Sequence, residues 1–445
     1  MPKLVAKKKA PVKAKEPKAQ EPKAPRKAKA KAPKILAPGE ALLPTINIGT
    51  VGHVDHGKTT LVKALTGKWT DTHSEEVRRG ITIRLGYADA TFNRCPKCSA
   101  YTVAKECPAC KVATEAARTV SFIDSPGHES LMATMLSGAT IIDGALLLIA
   151  ANETCPQPQT REHLMALQIC GIKNVVVVQN KVDLAGRDGS LDNYQQIRAL
   201  LKGTPYEKAP VVPISAQHNL NMDLLISAIE ENIPTPERDS AKEPLMYVAR
   251  SFDINLPGCD ILSIHGGVLG GAVVQGIIRK GDTIEVRPGR KVEAEGRVTW
   301  KPVHSTVVSI KKGGMEVEEA TPGGSVGLMT KLDPAVVKAD QLSGSIAGHE
   351  GKLPDIRLTI KLRISLLQRV VGSKEELTVE PIKQGEALML SVNTASTVGI
   401  ATELQKDHVT CRLKLPVCAD IGARVTISRN IANRFRLIGY GLIEG

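Results

Sequence analysis

The sequence predicts an α/β domain with a mainly parallel sheet, followed by two smaller β-barrel domains. Between residues 45 and 232, short apolar runs alternate with segments of helical period, which is typical of βα units with helices on both faces of a sheet. Beyond residue 244 the pattern changes to short strands separated by Gly-rich turns, which favours β-barrels. A chain of 445 residues is also longer than one hydrophobic core usually serves, so about three domains are expected.

Two breaks in composition divide the chain. The segment 233–244 mixes prolines with charged residues and ends the helical pattern, and a second break lies near residues 347–354. We therefore expect an N-terminal arm, an α/β domain and two β-barrel domains, at residues 1–39, 40–235, 244–346 and 353–445.

The arm at residues 1–39 carries most of the net charge. It holds twelve lysines and Arg26 against Glu16 and Glu21, a formal charge of +11 out of the +13 of the whole chain. Its seven prolines interrupt helix formation, and its composition predicts disorder in the free chain. A solubilising tail and an arm that contacts RNA or the ribosome both fit this composition, whereas the rest of the chain is not strongly basic.

Membrane and secreted classes of protein are disfavoured. No apolar run approaches the roughly 18 residues that a membrane helix needs, and the run at residues 144–151 predicts a short buried strand. Four of the nine cysteines lie within residues 95–110 and the others are scattered, which does not match a disulfide framework. A reducing, cytoplasmic location with one metal site fits better, and we expect no membrane partner.

The first chemical motif is a phosphate-binding loop. Residues 52–59 read GHVDHGKT, which matches G-x-x-x-x-G-K-[ST] between a predicted strand and a predicted helix. Lys58 offers a cation to the β- and γ-phosphates, and the Thr59 hydroxyl can ligate Mg²⁺. A Gly-rich turn without a ligand is the alternative, and it does not explain this context. The predicted nucleotide contacts of the loop are Asp55, His56, Gly57, Lys58, Thr59 and Thr60.

A second motif, D-x-x-G, ends the strand predicted from TVSFID. Asp124 would hold Mg²⁺ through water, and the amide of Gly127 would contact the γ-phosphate. Alone, this motif is more often a turn. After a phosphate-binding loop, at the carboxyl edge of the same sheet, it predicts a ligand site.

Two later loops predict the base. Asp183, in the sequence NKVD, can accept two hydrogen bonds from guanine N1 and N2, whereas adenine offers no such pair. Asn180 would tie the loops together, Lys181 would lie along the ring, and the Ala216 amide would reach guanine O6. The predicted ligand is therefore GTP or GDP with Mg²⁺. Its predicted base contacts are Asn180, Lys181, Val182, Asp183, Ser215, Ala216 and Gln217.

The clustered cysteines predict a zinc site. Cys95 and Cys98 form one C-x-x-C turn, and Cys107 and Cys110 form a second, separated from the first by eight residues. Four thiolates suit tetrahedral Zn²⁺ and leave no open position for catalysis, so the site would be structural. A redox disulfide pair is the alternative, and the doubled spacing counts against it.

Together these motifs resemble a known family. The stretches GHVDHGKTT, RRGITIRLGYADA, DSPGHE and NKVD are similar to those of translational GTPases. The zinc knuckles, with VARSFDINLPG, GGVLGGAVVQG, MTKLDPAVVKADQLSGSIAG, RVVGSKEELTVEPI and GYGLIEG, resemble the gamma subunit of archaeal and eukaryotic translation initiation factor two. The resemblance covers about residues 45–445. It implies a P-loop GTPase domain with an inserted zinc knuckle, followed by two β-barrels.

The resemblance also implies further metal-binding residues. Thr82 matches the family's second Mg²⁺-ligating hydroxyl, beside Thr59 and Asp124. Asp55 and the carbonyl of Gly80 match a further Mg²⁺ position.

The resemblance implies a catalytic role for His128, which matches the residue that orients the attacking water. Val54 and Ile81 match an apolar pair that keeps this histidine away until activation. From the residues alone, His128 could equally be a satisfied polar residue at the start of a helix.

The function implied by the resemblance is that of a protein-synthesizing GTPase. Such a subunit carries methionylated initiator tRNA to the small ribosomal subunit in its GTP state, within an mRNA-bound initiation complex, and releases it after hydrolysis. Alpha and beta subunits would complete a heterotrimer.

Two other functions fit part of the sequence. One is an elongation-type GTPase that delivers aminoacyl-tRNA, including the selenocysteine-specific kind, and the other is a zinc-bearing RNA-binding scaffold without turnover. The zinc knuckles and the motifs of the second barrel argue against the first, and the intact nucleotide motifs argue against the second.

Overall fold

The computed structural model describes residues 42–70, 82, 84–128, 131–256, 258, 260, 263–294, 297–368, 378–432 and 434–445. The arm predicted at residues 1–39, and the predicted site residues Gly80 and Ile81, lie outside these ranges. Within them, no helix is both long enough and apolar enough to cross a membrane.

The first domain is built on a central sheet. Its strands are β1 (Asn47–Gly52), β2 (Gly86–Arg94), β3 (Tyr101–Thr102), β4 (Glu115–Asp124), β5 (Gly144–Ala150), β6 (Asn174–Asn180) and β7 (Val211–Pro213). They lie in the order β3-β2-β4-β1-β5-β6-β7, with parallel pairing from β4 to β7 and antiparallel pairing of β2 and β3 at one edge. The helices described here are α1 (Lys58–Thr66), α2 (Met132–Ala139), α3 (Pro158–Cys170), α4 (Val182–Leu201) and α5 (Met222–Asn232).

Strand β5 shows why helices cover both faces of the sheet. All of its residues are buried. Leu146 and Leu148 join the core that includes α1 and α5, and Leu147 and Ile149 join the core that includes α2 and α3. A strand buried on both faces must be apolar on both, so its sequence is a continuous apolar run. The predicted α/β domain is confirmed.

The second domain is a β-barrel. Its strands are β8 (Leu245–Phe252), β9 (Val268–Gln275), β10 (Ile278–Arg279), β11 (Thr283–Ala294), β12 (Arg297–Lys312), β13 (Met315–Val317), β14 (Glu319–Ala320), β15 (Val326–Thr330) and β16 (Ile346–His349). Strands β11, β16, β8, β9, β15 and β12 pair in this order, and β11 also pairs with β12, which closes the barrel. A short helix, α6 (Pro334–Val337), and a 3-10 turn (Lys338–Asp340) precede β16. Because β16 completes it, the barrel continues past residue 346, where the sequence predicts its end.

One face of β11 departs from simple apolar-polar alternation. Ile284 and Val286 point into the barrel core, but Glu285 on the opposite face is buried as well. Arg287 pairs with it at 2.7 Å, and the amide of Gly351 donates to it at 2.9 Å. Arg287 also donates to the carbonyl of Leu353, so the connection between the barrels covers this face.

The third domain is a second closed barrel. Its strands are β17 (Ile356–Leu366), β18 (Ala387–Val392), β19 (Ala395–Gln405), β20 (His408–Cys418), β21 (Arg424–Ile431) and β22 (Arg434–Glu444). They close in the order β17-β20-β19-β18-β21-β22 around an apolar core. The prediction of two β-barrels is confirmed.

Both barrels contact the α/β domain through polar groups. Arg238, in the connection to the first barrel, donates to Asp143 at 2.5 Å, and the amide of Ser325 donates to the hydroxyl of Ser121 at 3.0 Å. Arg436 of the second barrel pairs with Glu162 of α3, and both side chains are buried. The two barrels therefore contact the α/β domain at separate places.

Candidate functional site

The phosphate-binding loop connects β1 to α1. Strand β1 is buried along its whole length and ends at Gly52, and α1 begins at Lys58. Between them the backbone takes two left-handed residues, Asp55 with φ 61° and Gly57 with φ 87°. Amide groups at the start of a helix have no partner within that helix, so the loop presents donors to an anion at the N-terminus of α1.

Two glycines of the site are required by close contacts. A Cβ atom at Gly57 would lie 2.4 Å from Nδ2 of Asn180, and a Cβ atom at Gly127 would lie 2.4 Å from Nζ of Lys58. A side chain at either position would displace a polar group that is predicted to contact the nucleotide or to support the loop. The G-K motif therefore needs glycine at position 57 for the space and for its left-handed backbone, and the D-x-x-G motif needs glycine at position 127 for the space.

Asp124 connects three parts of the domain. It ends β4, and its side chain is fully buried. Its carboxylate accepts hydrogen bonds from the hydroxyls of Thr50 at 2.7 Å, Thr59 at 2.7 Å and Thr70 at 2.9 Å. The hydroxyl of Thr82 lies 3.1 Å from that of Thr59. The structure thus brings together the predicted Mg²⁺ residues Thr59, Thr82 and Asp124.

The chemistry of this cluster suits Mg²⁺. The ion prefers carboxylate, hydroxyl and water oxygens, and it usually keeps several waters. Thr59 and Thr82 could ligate it directly, and Asp124 through water. Asp55 lines a cavity in front of this cluster, whereas Gly80, its predicted partner at a further Mg²⁺ position, lies outside the described residues. The individual ligand roles stay predictions.

A cavity of about 230 Å³ opens in front of the cluster. Trp69, which is 47% exposed, forms part of its wall beside Thr82. Neither Trp69 nor Thr70 belongs to a motif of fixed spacing, so the sequence does not single them out. The predicted site residues that line the cavity are Asp55, Gly57, Lys58, Thr59, Thr60, Thr82, Gly127, His128 and Lys181.

His128 lies at the edge of the cavity with an exposed side chain. Its carbonyl accepts a hydrogen bond from the amide of Leu131 at 2.9 Å, just before α2 begins. Val54 lines the same cavity, whereas Ile81 lies outside the described residues. A water-orienting role and the role of a polar residue near a helix start both fit this position.

Asn180 joins the phosphate-binding loop to the loop after β7. Its Nδ2 atom donates to the carbonyl of His56 at 2.9 Å, and its Oδ1 atom accepts from the amide of Ala216 at 3.0 Å. This arrangement is the one expected of a residue that ties the loops together. The Ala216 amide, which we predict to reach guanine O6, is hydrogen-bonded to Asn180 in this structure.

Asp183 lies in the first turn of α4, which starts at Val182 after the left-handed residue Lys181. A hydrogen bond from the Ser215 side chain lowers the pKa of Asp183, so the carboxylate stays ionised and only accepts hydrogen bonds. Such a group can pair with two neighbouring N–H donors of guanine. Gln217, the last predicted base contact, follows Ala216 and is exposed.

Two buried histidines support the phosphate-binding loop. Nδ1 of His163, on α3, accepts a hydrogen bond from the amide of Gly52 at 2.7 Å, and Nδ1 of His56 lies 2.9 Å from the carbonyl of Leu148. Burial lowers the pKa of His163 to about 3 and that of His56 to about 4, so both rings are neutral at neutral pH. No sequence pattern relates His163 to the loop, since only the fold brings α3 beside it.

The two C-x-x-C turns share one geometry. The amide of Cys98 donates to the sulfur of Cys95 at 3.5 Å, and the amide of Cys110 donates to the sulfur of Cys107 at 3.4 Å. In each turn the residue after the second cysteine has a left-handed backbone. Hydrogen bonds from amides stabilise thiolates, which are the form that binds metal.

The four sulfur atoms suit Zn²⁺. They lie within 4.8 Å of one another, and the sulfurs of Cys98 and Cys107 are 3.7 Å apart. A tetrahedral site with Zn–S bonds of about 2.3 Å requires sulfurs about 3.8 Å apart. All four positions would be taken by protein thiolates, and the knuckle is inserted between β2 and β4. This geometry suits a structural ion.

Two family models match the chain. The model described as "Elongation factor Tu GTP binding domain" matches residues 43–235, which span the α/β domain. The model described as "Initiation factor eIF2 gamma, C terminal" matches residues 358–443, which span the second barrel.

Curated relatives share more than half of their aligned residues with the chain. It is 57% identical over 400 residues to translation initiation factor 2 subunit gamma of Methanocaldococcus jannaschii, an alignment that covers 90% of this chain and 97% of that protein. It is 59% identical over 408 residues to the protein of the same name from Archaeoglobus fulgidus, covering 91% and 96%.

Solved structures with the same fold include selenocysteine-specific factors. The bacterial selenocysteine-specific elongation factor EF-Sec matches with a TM-score of 0.69 at 23% identity, covering 90% of this chain and 58% of that one. Translation elongation factor SelB from Methanococcus maripaludis, in complex with a GTP analogue, matches with a TM-score of 0.66 at 23% identity, covering 91% and 80%. At this identity the likeness shows the fold alone.

We expect Asp183→Asn to weaken GTP binding by roughly tenfold or more and to favour xanthosine triphosphate. The new amide donates where the carboxylate accepted, and one mismatched polar contact costs about 1–3 kcal/mol. Titrations with both nucleotides measure the change. Asp188→Asn, which alters an exposed carboxylate on the same helix, is the control and should bind GTP as the wild type does. Equal GTP affinity in Asp183→Asn and wild type would show that Asp183 does not read the base.

We expect Cys98→Ser to lose bound zinc and to disturb the knuckle without abolishing nucleotide binding. A serine hydroxyl does not ionise as a thiol does, and Zn²⁺ in structural sites prefers thiolate ligands. Metal analysis combined with a GTP titration tests this. Cys155→Ser, outside the cluster, should keep its zinc. A full complement of zinc in Cys98→Ser would contradict the four-thiolate site.

Proposed function

The chain belongs to the family of translation initiation factor 2 gamma subunits, and we propose that it carries methionylated initiator tRNA to the small ribosomal subunit in its GTP state. It is a translational GTPase of initiation. The proposal includes release of the tRNA after hydrolysis, and assembly with alpha and beta subunits within an mRNA-bound initiation complex. One observation carries it: Thr59, Thr82 and Asp124 meet at the nucleotide cavity of a chain that matches initiation subunits over nine tenths of its length.

The cluster of Thr59, Thr82 and Asp124 is suited to report the nucleotide state. Bound Mg²⁺ would neutralise charge on the β- and γ-phosphates. Thr82 can offer its hydroxyl only while the segment that carries it lies against the cavity. GTP, through its γ-phosphate, therefore favours a different position of this segment from GDP. A switch of this kind can couple hydrolysis to the release of a bound tRNA.

The position of Lys58 supports a role in phosphate binding. Its Nζ atom donates to the carbonyl of His53 at 2.8 Å and lies beside Gly127. We infer that this cation turns to the β- and γ-phosphates when nucleotide binds, because a charged oxygen is a stronger acceptor than a carbonyl. The amide of Gly127 would then contact the same γ-phosphate, so that both groups stabilise its negative charge.

We infer that His128 acts on the attacking water. Its side chain is exposed at the edge of the cavity that Gly127 and Lys58 also line. Phosphoryl transfer is catalysed mainly by positioning and by charge, so a residue that orients the attacking water acts on the rate of hydrolysis. It need not contribute to the affinity for GTP.

Initiation rather than elongation is supported by identity along the chain. The selenocysteine-specific structures share the fold at 23% identity, whereas the two initiation subunits named above are 57% and 59% identical over nine tenths of this chain, and the initiation-factor model matches the second barrel. The word "subunit" in the names of those relatives supports a partner-bound state. The identity of the tRNA is the point at which the two functions differ.

We expect His128→Ala to lower the rate of stimulated GTP hydrolysis roughly 100-fold, with nearly unchanged GTP affinity. Single-turnover hydrolysis in the presence of small ribosomal subunits and initiator tRNA measures the rate, and a nucleotide titration measures the affinity. His265→Ala, which alters an exposed histidine of the first barrel, is the control. Unchanged turnover in His128→Ala would remove this residue from the mechanism.

The proposed function predicts selective binding of initiator tRNA. The chain with its alpha and beta subunits should bind methionylated initiator tRNA much more tightly with a GTP analogue than with GDP. It should also prefer initiator over elongator methionyl-tRNA. Filter binding with both tRNAs and both nucleotides, with and without the partner subunits, tests this. Equal affinity for the two tRNAs would favour the elongation function instead.

A further inference from the structure

Asp340 of the first barrel contacts the α/β domain at the nucleotide edge of its sheet. Its Oδ1 atom accepts hydrogen bonds at 3.0 Å from Nε of Arg250 and at 3.0 Å from the amide of Ser251. Its Oδ2 atom lies 3.3 Å from Nη1 of Arg84 in the α/β domain. One carboxylate thus uses one oxygen within the barrel and the other across the domain boundary. We call Asp340, Arg250 and Arg84 the Asp340 junction.

The backbone around Asp340 is held in an unfavourable conformation. Ala339 and Asp340 have φ values of 55° and 61°, which are left-handed values that non-glycine residues rarely adopt. Each such residue is energetically unfavourable, because Cβ comes too close to the following carbonyl oxygen. Two in succession persist only where surrounding contacts impose them, and positions of this kind are found mainly at functional sites. Here the imposed turn directs the carboxylate of Asp340 to Arg84.

The junction also holds the backbone that follows Thr82. Nη1 of Arg250 donates to the carbonyl of Leu85 at 3.4 Å. Leu85 is buried and packs so closely on α2 that a Cβ atom at Gly138 would lie 2.8 Å from it. Arg84 and Leu85 are therefore held from the barrel, by an ion pair and by a hydrogen bond to the main chain.

The held segment is next to the nucleotide cluster. Gly86, the first residue of β2, pairs with Asp124 in the sheet register. Thr82 precedes Arg84 by two residues, and its hydroxyl lies 3.1 Å from that of Thr59. The Asp340 junction therefore contacts the chain two residues from Thr82, whose hydroxyl lies at the cluster.

We propose that Asp340 is a positioning residue that holds Thr82 toward the nucleotide site from the first barrel and so favours GTP over GDP. The inference rests on the proposed function in one respect, namely that Thr82 acts at the Mg²⁺ of GTP. A contact made better in one state than in another shifts the equilibrium by its differential free energy, and the coupling is reciprocal. GTP that recruits Thr82 therefore also strengthens the hold of the barrel on the α/β domain.

The junction is not needed merely to attach the barrel. Arg238 pairs with Asp143, and Ser325 with Ser121, away from the cavity. Removing the carboxylate of Asp340 therefore leaves other contacts between the two domains in place. A purely structural ion pair would affect GTP and GDP affinity alike, whereas a positioning residue affects GTP alone.

The test uses Asp340→Asn in the full chain and measures the dissociation constants of a non-hydrolysable GTP analogue and of GDP. Asparagine keeps an acceptor for the amide of Ser251 but loses the charge that attracts Arg84. Arg84 is partly exposed and such pairs contribute modestly, so we expect the analogue to bind about two- to fivefold more weakly and GDP to bind unchanged. The difference should shrink at high salt, since exposed charges are screened.

Further variants separate the junction from general damage. Arg84→Ala should reproduce the loss of analogue affinity, and Arg84→Lys should restore part of it because the charge returns. Lys338→Gln, which removes an exposed charge in the same turn, is the matched control and should behave as the wild type does. Thr82→Ala should by itself weaken binding of the analogue, and in that background Asp340→Asn should have no further effect on analogue affinity.

Each remaining outcome overturns the inference. It fails if Asp340→Asn and Arg84→Ala leave the affinity for the analogue unchanged, or if they lower the affinity for GDP equally. It also fails if their effects on analogue affinity persist undiminished in the Thr82→Ala background. If Thr82→Ala weakens binding of the analogue and Asp340→Asn does not, this inference is overturned and the proposed function still stands. No loss in Thr82→Ala removes Thr82 from the GTP site, and with it both that part of the proposed function and the inference.

Discussion

The buried carboxylate of Asp124 is the interaction on which the nucleotide site depends. A charged group that is withdrawn from water is stable only when donors surround it, and Asp124 has the hydroxyls of Thr50, Thr59 and Thr70. These belong to β1, to α1 and to the segment after α1, so satisfying one charge fixes three elements relative to β4. Because β1 and β4 are parallel neighbours, their carboxyl ends open onto one edge, where the phosphate-binding loop and the D-x-x-G motif meet.

The barrels act on this edge from different sides. The first barrel reaches the start of β2 through the Asp340 junction, directly beside the strand residue that carries the central carboxylate. The second barrel contacts α3, where Glu162 pairs with Arg436 while the next residue, His163, accepts a hydrogen bond from Gly52. Each barrel thus contacts a residue that is close in sequence to a part of the nucleotide site. Both connections end on the phosphate-binding loop or on the segment that carries Thr82.

The sequence predicts those site residues that ligand chemistry requires at a fixed spacing. Phosphate, guanine and zinc each require particular residue types in one short loop, so Lys58, Asp183 and the four cysteines can be identified without the fold. Thr70, Trp69 and His163 belong to no motif, and they reach the site only because helices and connections pack beside it. The sequence does not predict the burial of Glu285 either, since the segment that covers it comes from a later part of the chain. Long-range packing decides whether these residues reach the site or become buried, and the local sequence pattern does not predict such packing.

The boundaries between the domains combine polar contacts of defined geometry with apolar contacts. The apolar cluster that spans the boundary between the α/β domain and the barrels includes Ala249, Ala272 and Leu437, with partly buried larger side chains packed against it: Tyr247, Leu367 and Tyr440. The directional contacts are ion pairs and hydrogen bonds, such as Arg238 with Asp143 and Arg436 with Glu162. When an apolar interface opens, its surface meets water at a cost that rises with area. When an ion pair opens, both charges are rehydrated, so much of the lost attraction is regained. The ion pairs therefore fix a definite arrangement of the domains, and the apolar side chains between them add a cost of separation that rises with their area.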